Sequence, residues 1–159
     1  NIWNYLPKVD RVMKVPAGMM SGNWMGSHFT NNDLVRSSRF ADDFTAKITA
    51  RPDKPGEGSW VIECIPNEDA PVVWGKVVVT ISDKHRIGES ITYWDEDGVL
   101  VRTMTFTDVQ MINGRAVPMK SRMVPTEEPN EFTEIIYEKM RFDVDLPDSL
   151  FTLQSIRRR

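Results

Sequence analysis

The sequence is short of the residues from which most catalytic and metal sites are built. A single cysteine, Cys64, excludes an internal disulfide and leaves the redox compartment open. The two histidines, His28 and His85, lie far apart, with no H-x-x-x-H or C-x-x-C spacing to hold a metal ion. No G-x-S-x-G is present, and Gly26-Ser27-His28 is not an elbow between a long strand and a helix. No glycine-rich motif would cradle a phosphate. Long apolar runs are missing too: the best, Val77 to Ile81, is broken by Thr80 and falls far below membrane-span length. A net charge of −3 argues against a general nucleic-acid binder. These absences predict neither an enzyme nor a cofactor, and no metal. Asp95-Glu96-Asp97-Gly98 resembles the start of a calcium loop but lacks its later acidic ligands, so a solvated hairpin turn is the better reading.

What is present is an ordinary globular balance, with 40% hydrophobic and 27% charged residues in 159, the size of one domain. The excess lies in nine Met and five Trp. Met13, Met19, Met20, Met25, Trp3 and Trp24 all fall within the first 25 residues. The chain opens at Asn1 without an initiator Met or targeting segment, and Asn1 to Tyr5 already reads as strand. We therefore expect one domain over 1–159, truncated at its N-terminus.

Period-two alternation dominates. Phe44, Ala46, Ile48 and Ala50 alternate with Thr45, Lys47, Thr49 and Arg51; Val117, Met119 and Met123 oppose Lys120 and Arg122. Such strands have one buried face and one wetter face. Cys64 alternates with Trp60 and Ile62, which predicts a small core hydrophobe. Asn113-Gly114, between Phe106–Ile112 and Arg115–Pro125, is the strongest hairpin signal. Leu6 to Asp10 predicts another reversal, and about eight mostly antiparallel strands follow in all. Helix is scarce. Thr30 and Asp33 have capping-box spacing before Asn31 to Ser38, and Pro147 suits the first position of a short turn to Phe151.

The segment Pro16 to Phe29 differs from the rest, with Met19, Met20, Trp24, Met25 and Phe29 interleaved with Gly18, Gly22 and Gly26. It has neither strand alternation nor helical spacing. Unbranched, polarizable Met on glycine-hinged backbone suits variable apolar partners such as acyl chains; the competing reading is a loop that completes the core over an open sheet. Residues 1–40 carry +3 and the remainder −6, which favours anionic headgroups or an acidic partner near the N-terminus, or is ordinary scatter. Arg157-Arg158-Arg159 reads equally as a tail, a docking patch or a truncation point.

Three stretches together resemble the LolA/LolB-like superfamily and, within it, the outer-membrane lipoprotein-sorting group. They are Asn1-Ile2-Trp3-Asn4-Tyr5-Leu6-Pro7-Lys8-Val9-Asp10-Arg11 with Trp24-Met25-Gly26-Ser27 and Phe29 to Val35; Tyr93-Trp94-Asp95-Glu96-Asp97-Gly98 with Leu100 to Thr103; and Arg141-Phe142-Asp143-Val144 with Leu146 to Leu153. The resemblance implies a periplasmic protein of Gram-negative bacteria, mainly β. Its fold would be a curved antiparallel half-barrel with one or two short helices on the concave side over an apolar cavity. It further implies a carrier of lipid or lipoprotein acyl chains towards the outer membrane, without catalysis. An RND-type inner-membrane transporter is the implied partner. The alternative is a periplasmic adaptor or sensor docking on such a transporter. His28 stands where the group usually has Asp, so no role of that acid carries over. The missing N-terminal part would hold the signal peptide and part of the cavity wall. The expected lining is Met19, Met20, Trp24, Met25 and Phe29 as an apolar gate, with Met104, Phe106, Met119 and Met123 from the strands.

Overall fold

In the computed structural model, which describes residues 2–36 and 40–157, alternation builds most of the molecule. Asn1, the expected helix end at Ser37 and Ser38, and Arg158 and Arg159 lie outside the described residues. The chain divides into two compact units, Asn1–Ser37 with Arg141–Arg159, and Ser38–Met140.

The first unit begins with strands β1 (Trp3–Leu6) and β2 (Arg11–Lys14), paired antiparallel from Trp3↔Lys14 to Leu6↔Arg11. The expected reversal is a 3₁₀ turn, Pro7–Val9, closed by Asp10 in the left-handed region at φ +45°. Helix α1 (Asn31–Arg36) starts as its sequence predicts: the Thr30 amide donates to Asp33 Oδ2 at 2.7 Å, and the Asp33 amide donates to Thr30 Oγ1 at 3.2 Å. Near the C-terminus the expected turn is 3₁₀, Asp148–Phe151, but Pro147 (φ −67°, ψ 140°) is extended and caps it from outside. This corrects its expected place at the first helical position.

The second unit opens with helix α2 (Phe40–Asp43), which carries no sequence signal beyond its own four residues. A meander follows: β3 (Phe44–Ala50), β4 (Ser59–Pro66), β5 (Lys76–Ser82), β6 (Gly88–Trp94), β7 (Leu100–Ile112), β8 (Arg115–Pro125) and β9 (Thr133–Ile136). Each strand pairs antiparallel with the next in one seven-stranded sheet, with β3 and β9 as its edges. The protein is mainly β, and this sheet is open. Nine strands form among the described residues, where about eight are expected; four-residue β9 is too short to leave an alternation signal.

Turn chemistry fixes the register. Asn113 (φ +51°) and Gly114 (φ +76°) take the two positive angles that a tight hairpin between Ile112 and Arg115 requires. At the β6–β7 turn, Asp95 Oδ1 accepts from the amides of Asp97 (3.0 Å) and Val99 (2.8 Å), so this carboxylate shapes a turn. Gly75 lies against that turn so closely that a Cβ there would stand 2.3 Å from the Asp95 carbonyl oxygen. Phe44, Cys64 and Val77 form the buried centre, with Phe40 stacked on Phe44 at 4.5 Å between centroids. Burial pushes the Cys64 thiol up, as expected of a small core hydrophobe. Strand β3 corrects another expectation: only Phe44 is buried, and Thr45–Ala50 are exposed because β3 is the edge of the sheet.

Candidate functional site

Opposed residues in antiparallel strands share a face, so the ladders define complete rows of side chains across the sheet. One row runs Ile48, Ile62, Val79, Ile91, Met104, Met123 and Thr133, crossing all seven strands with six apolar residues in succession. At about 4.8 Å per strand it spans roughly 29 Å. Burial grades along it, from Ile48 at 43% exposed to Met123 at 0%. Beside it runs Ala46, Cys64, Val77, Tyr93, Arg102 and Pro125. The opposite face carries Val61, Thr80, Ser90, Thr105, Arg122 and Glu134 in one row. That face is held by charge: Glu134 Oε1 accepts from Lys120 Nζ and Arg122 Nε, both at 2.8 Å.

The strand residues expected as lining all stand on the apolar face. Met104 and Met123 are direct cross-strand partners, Phe106 pairs with Ser121, and Met119 follows on the same side of β8. Met119, Ser121 and Met123 are buried, while Met104 and Phe106 are half-buried, the Phe106 ring lying over Gly88.

The five expected residues from the N-terminal segment belong to the other unit and fall into two kinds. Phe29 is buried, and Trp24 and Met20 are half-buried; Met19 is exposed and Met25 is 86% exposed. The segment folds back on itself. The Trp24 amide donates to the Phe29 carbonyl at 2.7 Å, Asn31 N to Gly22 O at 3.0 Å, and Asn32 N to Met20 O at 2.9 Å. Asn31 Nδ2 donates to the carbonyls of Met19 (3.1 Å) and Gly22 (3.2 Å), tying the loop to the start of α1. Met25 at φ +51° and Gly26 at φ +74° form a left-handed corner that turns the Met25 side chain outward.

Two features escape a reading by residue type. Arg102, 5% exposed, is the cation of the row beginning at Ala46, with its guanidinium carbon 4.4 Å from the Tyr93 ring and 4.6 Å from Trp74. Such a desolvated cation–π contact contributes about 2 kcal/mol. Its signal was available in principle: alternation through Met104 and Phe106 sets Arg102 on the apolar face. The second is Asp83, whose Oδ2 accepts from the Gly56 amide (2.5 Å) and whose Oδ1 accepts from Trp60 Nε1 (2.6 Å), with Arg86 at 3.1 Å. The Gly56 and Trp60 hydrogen bonds hold its carboxyl below the usual range, against the opposing pull of burial. Both downward-shifted carboxylates, Asp83 and Glu134, are thus engaged in holding loops and strands together.

Comparison with known proteins places this geometry. A family profile described as "-like: Uncharacterized protein" matches residues 1–158. No curated protein matches the chain. Among solved structures, a proposed outer membrane lipoprotein-sorting protein domain from Vibrio parahaemolyticus is similar at TM-score 0.80 and 23% identity, over 98% of this chain and 65% of that one. A DUF1329 family protein from Desulfovibrio piger ATCC 29098 gives TM-score 0.85 and 21% identity, over 97% of this chain and 63% of that one. A LolA superfamily protein from Nitrosomonas europaea gives 0.70 and 20%, over 96% and 66%. The chain therefore spans less than two thirds of the length of all three. The likeness shows the fold, a LolA-like open half-barrel.

Proposed function

The chain belongs to the family whose profile spans residues 1–158, and from that premise and its LolA-like fold we propose that it is a non-enzymatic periplasmic carrier. Its cargo is the acyl chains of lipids or lipoproteins bound for the outer membrane. The observation that carries this reading is the apolar row from Ile48 to Met123, unbroken over six strands on one face of an open sheet. Its length exceeds the roughly 15 Å that one leaflet contributes to a 30 Å hydrocarbon core. Each methylene taken from water onto it contributes about 0.8 kcal/mol, so an acyl chain binds without any catalytic group. Half-buried Met104 lets that surface fit chains of varied shape, over a floor packed with buried Met119 and Met123. Met19, Met20, Trp24, Met25 and Phe29 supply a second apolar element. The solved sorting domain from Vibrio parahaemolyticus supports the same direction.

The test is mass spectrometry of lipid retained by protein extracted from native membranes, together with titration of a fluorescent fatty acid. Co-purifying lipid and saturable probe binding are expected; protein that is lipid-free and also ignores the probe ends the carrier reading.

One observation favours the second reading, an adaptor docking on an RND-type inner-membrane transporter. The meander brings three connections to one end of the sheet, and they carry Glu68, Asp69, Asp95, Glu96, Asp97, Glu127, Glu128 and Glu131. Residues 67–75, 95–99 and 126–132 contain no Lys or Arg, so this end suits a basic protein surface. A probe-silent protein whose binding to transporter-containing membranes weakens with salt would select it.

A further inference from the structure

The β1–β2 hairpin concentrates exposed apolar and cationic side chains in a small, well-defined place. Its register puts Asn4 opposite Met13 and Leu6 opposite Arg11, so these four share one face. Leu6 and Met13 are exposed there, and Val9 at the tip is 66% exposed. Lys8 precedes Val9 and Arg11 follows it after Asp10, and both cations are exposed. The other face pairs Tyr5 with Val12, both half-buried, and Trp3 with Lys14, both exposed. The hairpin's one acid, Asp10, is drawn toward that second face: Tyr5 Oη donates to its Oδ1 at 3.1 Å. The exposed face and tip thus carry the apolar Leu6, Val9 and Met13 and the cations Lys8 and Arg11, against the single acid Asp10.

We propose that this hairpin docks the protein on the surface of a membrane rich in anionic phospholipid. Val9 and Leu6 would enter the headgroup boundary while Lys8 and Arg11 meet lipid phosphates. Charge complementarity selects this occupant, because interfacial anchors combine an apolar edge with Lys or Arg and are drawn to anionic lipid. The inference goes beyond the carrier reading and uses none of its lining residues.

Co-sedimentation with vesicles tests it, comparing phosphatidylcholine alone with phosphatidylcholine containing roughly one third phosphatidylglycerol. Binding to the anionic vesicles only, weakening as salt rises, is the expected result. Lys8→Gln and Arg11→Gln should each reduce partitioning roughly fivefold. Val9→Asp should reduce it further, with Val9→Ser as the milder variant if the aspartate disturbs the turn. Circular dichroism confirms that each variant is folded, and fatty-acid probe binding should be unchanged in all four. Equal binding to both vesicle types, no binding to either, or variants that partition like the parent would overturn the proposal. Loss of probe binding in the parent would instead count against the carrier reading alone.

Discussion

The two faces of the seven-stranded sheet are made by the same strands, one residue out of step, and differ in almost everything else. The Ile48–Ile62–Val79–Ile91–Met104–Met123 row offers shape and no charge. The Val61–Thr80–Ser90–Thr105–Arg122–Glu134 row offers hydroxyls and an ion pair. Because side chains alternate strictly, slipping any strand by one residue would exchange the two sets. The apolar face therefore secures the register, and the polar face keeps the sheet from burying both sides. The contrast also separates two uses of methionine. Met123 at 0% exposure is packing; Met25 at 86% has little to pack against and is available to something outside its own loop.

The comparison can be broken most strongly at its buried end. Met123→Ala should cost about 2–5 kcal/mol by leaving a cavity where β8 lies between Met104 of β7 and Thr133 of β9, seen as a fall of several degrees in melting temperature. On the proposed ligand surface, Met104→Asp should weaken fatty-acid probe binding by tenfold or more, about 1.4 kcal/mol, while Thr103→Asp on the opposite face leaves binding unchanged. Fluorescence titration of the two variants checks this.

A smaller effect sharpens the polar side. The Lys120 hydrogen bond, then the Arg122 contact, hold the Glu134 carboxyl below the usual range. A carboxylate whose folded pKa is depressed stabilises the fold above its unfolded value, near pH 4, and loses that contribution as pH falls through the folded value. Melting curves of Glu134→Gln should therefore change less between neutral and acid pH than those of the parent. Smallest of all, Lys47→Ala on exposed β3 should stay within about 0.5 kcal/mol of the parent in a denaturant titration.

Much of this was legible in the sequence, for identifiable reasons. The Asn113-Gly114 turn, the Thr30–Asp33 capping box and the burial of Cys64 follow from local chemistry or strict alternation, and each is found. The shared face of Met104, Phe106, Met119 and Met123 follows from alternation plus that one turn. What alternation cannot supply is a strand's position in the sheet. Phe44 to Ala50 alternate as well as any strand, yet as an edge β3 buries only Phe44. Residue type likewise could not sort Pro16 to Phe29, where backbone hydrogen bonds decide that Phe29 turns inward and Met25 outward. Asp83 was missed because its partners, Gly56 and Trp60, are brought to it only by the pairing of β4 with β5.

The close approach at Gly75 carries a consequence for how this end of the sheet can vary. Its backbone lies where a side chain would strike the Asp95 carbonyl, so two connections far apart in sequence are interlocked. The β6–β7 turn can be exchanged for another only if the replacement leaves that carbonyl in place or withdraws it enough to admit a larger residue at 75. Loop grafts onto this acidic end will therefore succeed in pairs or fail singly. The Asn113-Gly114 tip at the opposite end is exposed, and a Cβ added at Gly114 would meet nothing within 4 Å, so the chain can be lengthened there by itself.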